Sequence, residues 1–295
     1  MIVRIACRLF LLLLVVGMPL IPRAGDLTIL QSSKPGALEE YAARELSRYV
    51  YALAGALPAI TAGTISTNGY IIGRRGTHPL IDQLLTETIG AQGYVLKKTT
   101  LNDKDIILIA ANDESGILYG VYGLLEEHYG IQFNFDGDVL PSPGTELFPA
   151  IDESKTPAVA IRGFLPWTNF PQSATSYSWE DWKYILDQMA RMRMNFLQIH
   201  NYNGEEGHNE MFHNFEVDGN MSRVWMATAR SGHAWGSYPG WDVNKYLFGS
   251  SSLFDDYDFG ADCALHNEKL TNKQVFRKGV NEFQRVIAYA HKRGI

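Results

Sequence analysis

Two neighbouring stretches decide how this chain folds: Asp105-Ile-Ile-Leu-Ile-Ala110, and then Ser115-Gly-Ile-Leu-Tyr-Gly-Val-Tyr-Gly-Leu-Leu-Glu126. The first is a short, unbroken apolar run rich in β-branched residues, which reads as a buried strand. The second places Leu118, Val121, Leu125 and Tyr129 at helical spacing, so a helix is expected from about Ser115 to Tyr129, stopped by Gly130. A buried strand running into a helix is the repeating element of layered α/β domains. Gly116, Gly120 and Gly123 invite a phosphate-loop reading, but their spacing is not G-x-G-x-x-G and they sit inside the helix rather than ahead of it. Close packing of that helix on a sheet is the expectation.

The flanking sequence extends this pattern into a small α/β domain over residues 26–140. Leu27-Thr-Ile-Leu30 is a short apolar strand, and Leu38, Tyr41, Ala42, Leu46, Tyr49, Val50 and Leu53 mark a helix that ends at Gly55 and Pro58. Gly69-Tyr-Ile-Ile-Gly73 is a second strand. Gly93-Tyr-Val-Leu96 and the 105–110 run are paired strands joined by a polar turn at Asn102-Asp103, and Ile131-Gln-Phe-Asn-Phe135 is a strand after the helix. Residues 141–157 carry Pro141, Pro143, Gly144, Pro149 and Pro157 with neither helical nor strand periodicity, so they are expected to be a linker.

Beyond the linker the rhythm changes, and all six tryptophans lie there, at 167, 179, 182, 225, 235 and 241. Ala158 to Leu165 is an apolar strand interrupted by Arg162-Gly163. Ser178-Trp-Glu-Asp181 is a capping box that opens a helix running to Met194, and Asn195-Phe-Leu-Gln-Ile-His200 is a strand. A long irregular stretch, 201–270, follows. Thr271-Asn-Lys-Gln274 then opens a further helix with Lys292-Arg293 near its end and Gly294 as its stop. The order strand, helix, strand, helix is the building pattern of parallel α/β folds. Two strands with helices on one side leave an open edge, so 158–295 is expected to be the beginning of a larger domain, with 201–270 as an insertion.

The first 24 residues read as a secretory signal: Arg4 and Arg8, an apolar run from Leu9 to Val16, and Pro22-Arg23-Ala24 as a cleavage region. That run is shorter than the roughly 20 residues of a membrane-spanning helix. Its removal takes Arg4, Arg8 and Arg23 from the 26 basic residues and leaves 23 against 32 acidic ones, a formal charge of −9. An acidic surface of this kind excludes a nucleic-acid partner and an anionic membrane surface after signal cleavage. Cys7 goes with the signal and Cys263 stands alone, so the mature chain has no internal disulfide. The expected location is periplasmic or extracellular; oligomeric state is left open.

Ala111-Asn-Asp-Glu-Ser-Gly-Ile-Leu-Tyr-Gly-Val-Tyr-Gly-Leu-Leu-Glu126, with Tyr129-Gly130-Ile131 and Phe133, resembles the small N-terminal domain of family 20 β-hexosaminidases. The same module precedes the barrel of family 67 α-glucuronidases. Met189-Ala-Arg-Met-Arg-Met-Asn-Phe-Leu-Gln-Ile-His200 is similar to the helix and second strand of such barrels. The resemblance covers residues 26 to 200. It implies an α/β fold: a small α/β sandwich domain followed by the first βα units of an incomplete TIM barrel, with 158–295 as the start of a (β/α)₈ catalytic domain. Two departures stand out. Phe164-Leu-Pro-Trp167 follows Arg162-Gly163 where family 20 enzymes place an acid, and His200-Asn-Tyr-Asn-Gly-Glu205 stands in place of a His-x-His-x-x-Asp pattern.

In a barrel enzyme the site lies at the C-terminal ends of the strands, which selects Arg162 to Trp167 and His200 to Glu206. Sugars need aromatic faces and hydroxyl partners. The candidate substrate-binding residues are therefore Arg162, Trp167, His200, Asn201 and Glu205, beside Tyr202 and Glu206. The resemblance implies that Arg162 bonds substrate hydroxyls; a structural ion pair for Arg162 and a structural hydrogen bond for His200 are the competing readings. It also places the principal carboxylates on later strands, so no residue here is designated catalytic and the chain by itself is expected to be inactive. His200, His208 and His213 with Glu205 and Glu206 match no metal-ligand spacing, so neither metal nor cofactor is expected. The implied function is the N-terminal portion of an exported glycoside hydrolase acting on poly- or oligosaccharides. A non-catalytic carbohydrate-binding protein and a protein-interaction module are the alternatives.

Overall fold

The structure is a computed structural model that describes residues 27–165, 179–198, 281 and 284–295. The chain divides into two compact units, Met1–Gln132 with Leu140–Thr156, and Phe133–Val139 with Pro157–Ile295.

The first unit is built on a six-stranded sheet. Its strands and helices alternate as β1 (Leu27–Leu30), α1 (Ala37–Ala54), β2 (Ala59–Thr61), β3 (Asn68–Arg74), α2 (Pro79–Leu84), β4 (Tyr94–Leu101), β5 (Lys104–Ala111) and α3 (Glu114–Gly123). The hairpin β6 (Gln132–Asn134) and β7 (Gly137–Val139) follows, and β8 (Asp152–Lys155) completes the sheet in the order β2-β1-β3-β5-β4-β8. The first four strands in that order are parallel; β4 runs antiparallel to both β5 and β8.

Alternation along the central strands sends side chains to both faces. Ile29, Tyr70, Ile72, Ile107, Ile109 and Leu96 share one face, which α1 and α3 cover; all are buried. Leu30, Ile71, Val95, Ile106 and Leu108 form the other face, with Ile81 of α2 and the buried Leu85 and Ile89 packed on it. A strand buried on both faces reads as an unbroken apolar run, which is why 105–110 was legible. The β4–β5 turn is equally local: Asn102 (φ 49°) and Asp103 (φ 58°) both take the left-handed conformation that a two-residue hairpin demands.

Helix α3 is capped by Asp113, whose Oδ1 accepts from the Gly116 N–H at 2.8 Å while its Oδ2 accepts from Gln92. A Cβ at Gly116 would overlap the Gly93 carbonyl and lie 2.7 Å from the Ala111 Cβ. One at Gly120 would lie 2.9 Å from Ile109 Cγ2. The glycines let helix and sheet touch backbone to backbone, as the sequence predicts. After Gly123 the helix widens into a π turn, Leu124–His128, and ends at Gly130 (φ 77°).

Residues 141–157 differ from the expected linker. They supply β8, a strand without a single apolar side chain, whose backbone pairs with β4 over Tyr94↔Lys155 to Lys97↔Asp152. An ion pair and a hydrogen bond anchor it to the π turn: Lys155 with Glu127, and His128 Nε2 with Glu153 Oε1 at 3.0 Å. The first unit also departs from a continuous 26–140 domain, because Phe133–Val139 belongs to the second unit. Strand β2 and helix α2 are additions to the sequence reading.

In the second unit, β9 (Gly163–Phe164) and β10 (Phe196–Leu197) pair in parallel, Phe196 with Gly163 and Leu197 with Phe164. Among the described residues, the expected strands 158–165 and 195–200 are regular over two residues each. Helix α4 (Trp179–Arg191) connects them, and α5 (residues 284–291) packs beside α4. Trp182, Leu186 and Met189 of α4 bury against Val286 and Ala290 of α5, with Phe135 of the hairpin and Phe164 of β9 at the edge of that cluster. Asp187 Oδ1 accepts from Arg293 Nε at 2.5 Å and from the Tyr289 hydroxyl at 2.9 Å.

Both helices leave by one device. In α4 the Arg193 N–H donates to Ala190 O and the Met194 N–H to Met189 O; after α5 the Ile295 N–H donates to Ala290 O. The residue that reverses the chain is left-handed in each case, Arg193 (φ 59°) and Gly294 (φ 78°). Among the described residues no helix is long and apolar enough to cross a membrane.

Candidate functional site

A parallel βαβ unit presents its chemistry at the C-terminal ends of its strands. In the second unit those ends are the residues after Phe164 and Leu197. Trp167, His200, Asn201 and Glu205 lie outside the described residues, as do Tyr202, Glu206 and the 201–270 stretch. Arg162 is described. It stands one residue before β9, at the opposite end of the strand from Trp167 in sequence.

The contacts of Arg162 follow from that position. Its Nε donates to Arg193 O at 2.9 Å and its Nη1 to Val159 O at 2.6 Å. Guanidinium donors at backbone carbonyls are an architectural use: they fix the left-handed α4–β10 turn to the start of β9. These contacts give Arg162 an architectural part at the start of β9. A sugar-binding part for Arg162 rests on the resemblance.

Beside Arg162 stands a residue that the sequence reading passed over as ordinary strand. Asn195 Oδ1 accepts from the Arg162 N–H at 2.9 Å, and Asn195 Nδ2 donates to Ala160 O at 2.9 Å. Its backbone N–H donates to Arg162 O at 2.8 Å. The available signal was an amide side chain at a helix-to-strand junction, a residue type that can both donate and accept toward neighbouring backbone.

An apolar groove of about 760 Å³ flanks β10, lined among others by Phe196, Leu197, Val286, Ile287, Ala290 and Ile295. Its walls are mostly aliphatic. A sugar site needs convergent polar groups for hydroxyls, so this groove fits side-chain packing better than a pyranose.

In the first unit Glu127, His128 and Glu153 bring three possible ligand atoms within 4.8 Å of one another. Lys155 occupies the centre of the charge: its Nζ pairs with Glu127 and lies 3.3 Å from Glu153 Oε1. Burial pushes the Glu153 carboxyl up, but the His128 hydrogen bond and the Lys155 charge outweigh it and hold the group below its ordinary value. Burial likewise opposes the Lys155 ammonium, and its bond to Glu127 keeps it above its ordinary value. The Lys155 ion pairs and the His128–Glu153 hydrogen bond form a compensated cluster that pins β8. A second buried set, Tyr122 with Tyr41 and Glu45, and Tyr70 with Tyr129, satisfies phenols inside the sandwich; burial raises the Tyr70 and Tyr129 hydroxyls far above the ordinary phenol value.

The family model described as the N-terminus of glycosyl hydrolase family 67 matches residues 24–124, which takes in β1 through the start of the π turn. No curated protein matches the chain. Solved structures similar to it include a family 115 4-O-methyl-α-glucuronidase with specificity for decorated arabinogalactans, 17% identical with a TM-score of 0.45, over 60% of this chain and 25% of that one. A family 138 enzyme targeting pectin rhamnogalacturonan II is 14% identical, TM-score 0.45, over 91% of this chain and 30% of its own. A family 20 exo-β-N-acetylglucosaminidase from Vibrio harveyi is 14% identical, TM-score 0.44, over 92% and 32%. The chain thus spans about a quarter to a third of the length of these structures. Through residues 24–124, this α/β chain carries a glycoside-hydrolase N-terminal domain resembling that of family 67.

Proposed function

We propose that this chain belongs to an exported glycoside hydrolase that cleaves O-glycosidic bonds in poly- or oligosaccharides. The observation that carries the reading is the family 67 N-terminal match over residues 24–124, followed in sequence by a parallel βαβ unit. Export is supported by the basic, apolar and small-residue pattern of residues 1–24. In this reading 158–295 contributes the first strands of a (β/α)₈ barrel. Trp167 offers a ring face to the sugar, His200 and Asn201 bond hydroxyls, and Glu205 adds a carboxylate at the rim. Arg162 supports the site by holding the α4–β10 turn to the start of β9, and a bond from Arg162 to substrate hydroxyls is carried over from the family resemblance alone. The acid and the base of the reaction, a carboxyl pair about 5–10 Å apart, are assigned to later barrel strands.

The test is hydrolysis of a panel of aryl glycosides, including β-N-acetylglucosaminide and α-glucuronide, by the full-length secreted protein, beside a glycan array. Hydrolysis of at least one glycoside is expected. Trp167→Ala should weaken binding of the glycan that scores on the array about tenfold, the equivalent of roughly 1.4 kcal/mol for one aromatic face. Absence of both hydrolysis and glycan binding would overturn the reading.

A further inference from the structure

We propose that Asn195 is a positioning residue that sets the register of β10 against β9. The inference deepens the reading above, because it concerns the strands whose ends are proposed to hold the sugar. Among the described residues the β9–β10 ladder is two residue pairs long, Phe196↔Gly163 and Leu197↔Phe164. So short a ladder discriminates weakly among registers, and a slip of one residue exchanges the two faces of a strand. A slip of two moves every side chain by about 6.6 Å along it. Something besides the ladder has to select the observed offset of 33 residues (196 against 163).

Asn195 has the chemistry for this. Its side-chain carbonyl takes the Arg162 N–H, its side-chain amide gives to Ala160 O, and its own backbone N–H gives to Arg162 O. Three bonds from one residue therefore read three backbone groups in the stretch Ala160–Arg162. An amide satisfies that pattern because it donates and accepts at once. Aspartate lacks the donor and alanine lacks both. Gly163 sharpens the fit, since a Cβ there would overlap the Phe196 carbonyl, so the strands are drawn together at the pair adjoining the clasp. Arg162 Nε on Arg193 O braces the turn behind it.

The experiment is amide hydrogen exchange on the full chain, read at Phe196 and Gln198, whose N–H groups donate to Arg162 O and Phe164 O. Asn195→Ala should raise exchange at both by at least tenfold and leave β3 and β5 unchanged. Should Asn195→Ala also release α4, Asn195→Asp decides the matter. Its carboxylate still accepts from Arg162 but cannot donate to Ala160 O, so exchange rises at neutral pH. As pH falls and the carboxyl gains a proton it can donate again, and protection corrected for intrinsic rates returns. Arg162→Lys, which keeps every Asn195 bond, should change Phe196 and Gln198 less than threefold. Unchanged protection in Asn195→Ala overturns the proposal, and so does an Asn195→Asp profile that ignores pH. These results are independent of glycoside hydrolysis: the clasp can stand while the enzymatic reading fails, and the reverse.

Discussion

The three glycines of α3 provide the sharpest test of how the first unit is held together. Replacing glycine by alanine in an unobstructed helix stabilises it by about 1 kcal/mol. At Gly116 the new methyl would overlap the Gly93 carbonyl and lie 2.7 Å from the Ala111 Cβ, atoms fixed at the start of β4 and the end of β5. Neither can move without shifting a strand, so overpacking of about 3 kcal/mol is expected, and the net effect is a loss of about 2 kcal/mol. At Gly120 the nearest atom is Ile109 Cγ2 at 2.9 Å, the methyl of a side chain, with Tyr94 Cβ at 3.2 Å. The expected net loss there is about 1 kcal/mol. At Gly123 the clash falls on the hydroxyl end of Tyr94, which can swing, and the loss should be the smallest of the three. Tryptophan fluorescence is blind to this unit, since no tryptophan precedes residue 167. Amide exchange of the β4 and β5 core under denaturant is the appropriate assay. Gly116→Ala as stable as the parent, or more so, would refute close packing as the reason for the glycines.

The Glu153 carboxyl, held below its ordinary value, contributes stability that is present above the unfolded carboxylate value and lost as pH falls through the folded one. Amides of β8 should therefore exchange faster below about pH 4, and Glu153→Gln should remove that acid step while β3 stays protected. Asp187→Asn removes the carboxylate from Arg293 and Tyr289 and should loosen the α4–α5 contact by about 1–3 kcal/mol, read as exchange at Val286 and Ala290. Unchanged exchange there would show that the apolar cluster alone holds the two helices. Burial first, and the Asp187 charge second, push the Tyr289 phenol up to about 12. Its share of stability is present below the unfolded phenol value near 10 and disappears as pH approaches 12. Asp187→Asn should bring the ultraviolet phenolate titration to lower pH, and a titration that does not move would place the whole shift on burial.

Much of the first unit was readable because its signals are local. The 105–110 run, the Asn102-Asp103 turn and the helical spacing from Leu118 to Tyr129 each need only neighbouring residues, and each has its counterpart in β5, the β4–β5 hairpin and α3. β8 escaped because Asp152-Glu-Ser-Lys155 is polar throughout; what makes it a strand is an open β4 edge that waits some fifty residues earlier in the chain. Helix α2 escaped for another reason. Six residues show no periodicity, and its start depends on His78 Nδ1 accepting from the Leu80 N–H. In the second unit the apolar runs 158–165 and 195–200 were visible, and among the described residues two of each meet in a ladder. Of the candidate site, Arg162 is the described residue, and its Nε and Nη1 bond Arg193 O and Val159 O.

Composition, periodicity and spacing by themselves determined the α/β class, the helix-on-sheet contact through glycine and the βα rhythm of the second half, because amphipathic periods and turn conformations are written over a few residues. Tertiary structure alone decided that a polar stretch becomes an edge strand, that Phe133–Val139 joins the second unit, and that Asn195 clasps the start of β9. Each of these depends on groups far apart in the chain: β8 on the backbone edge of β4, Phe135 on the Phe164 ring, and the Asn195 amide on the backbone of Ala160 and Arg162. Which of them meet is settled only when the chain is folded.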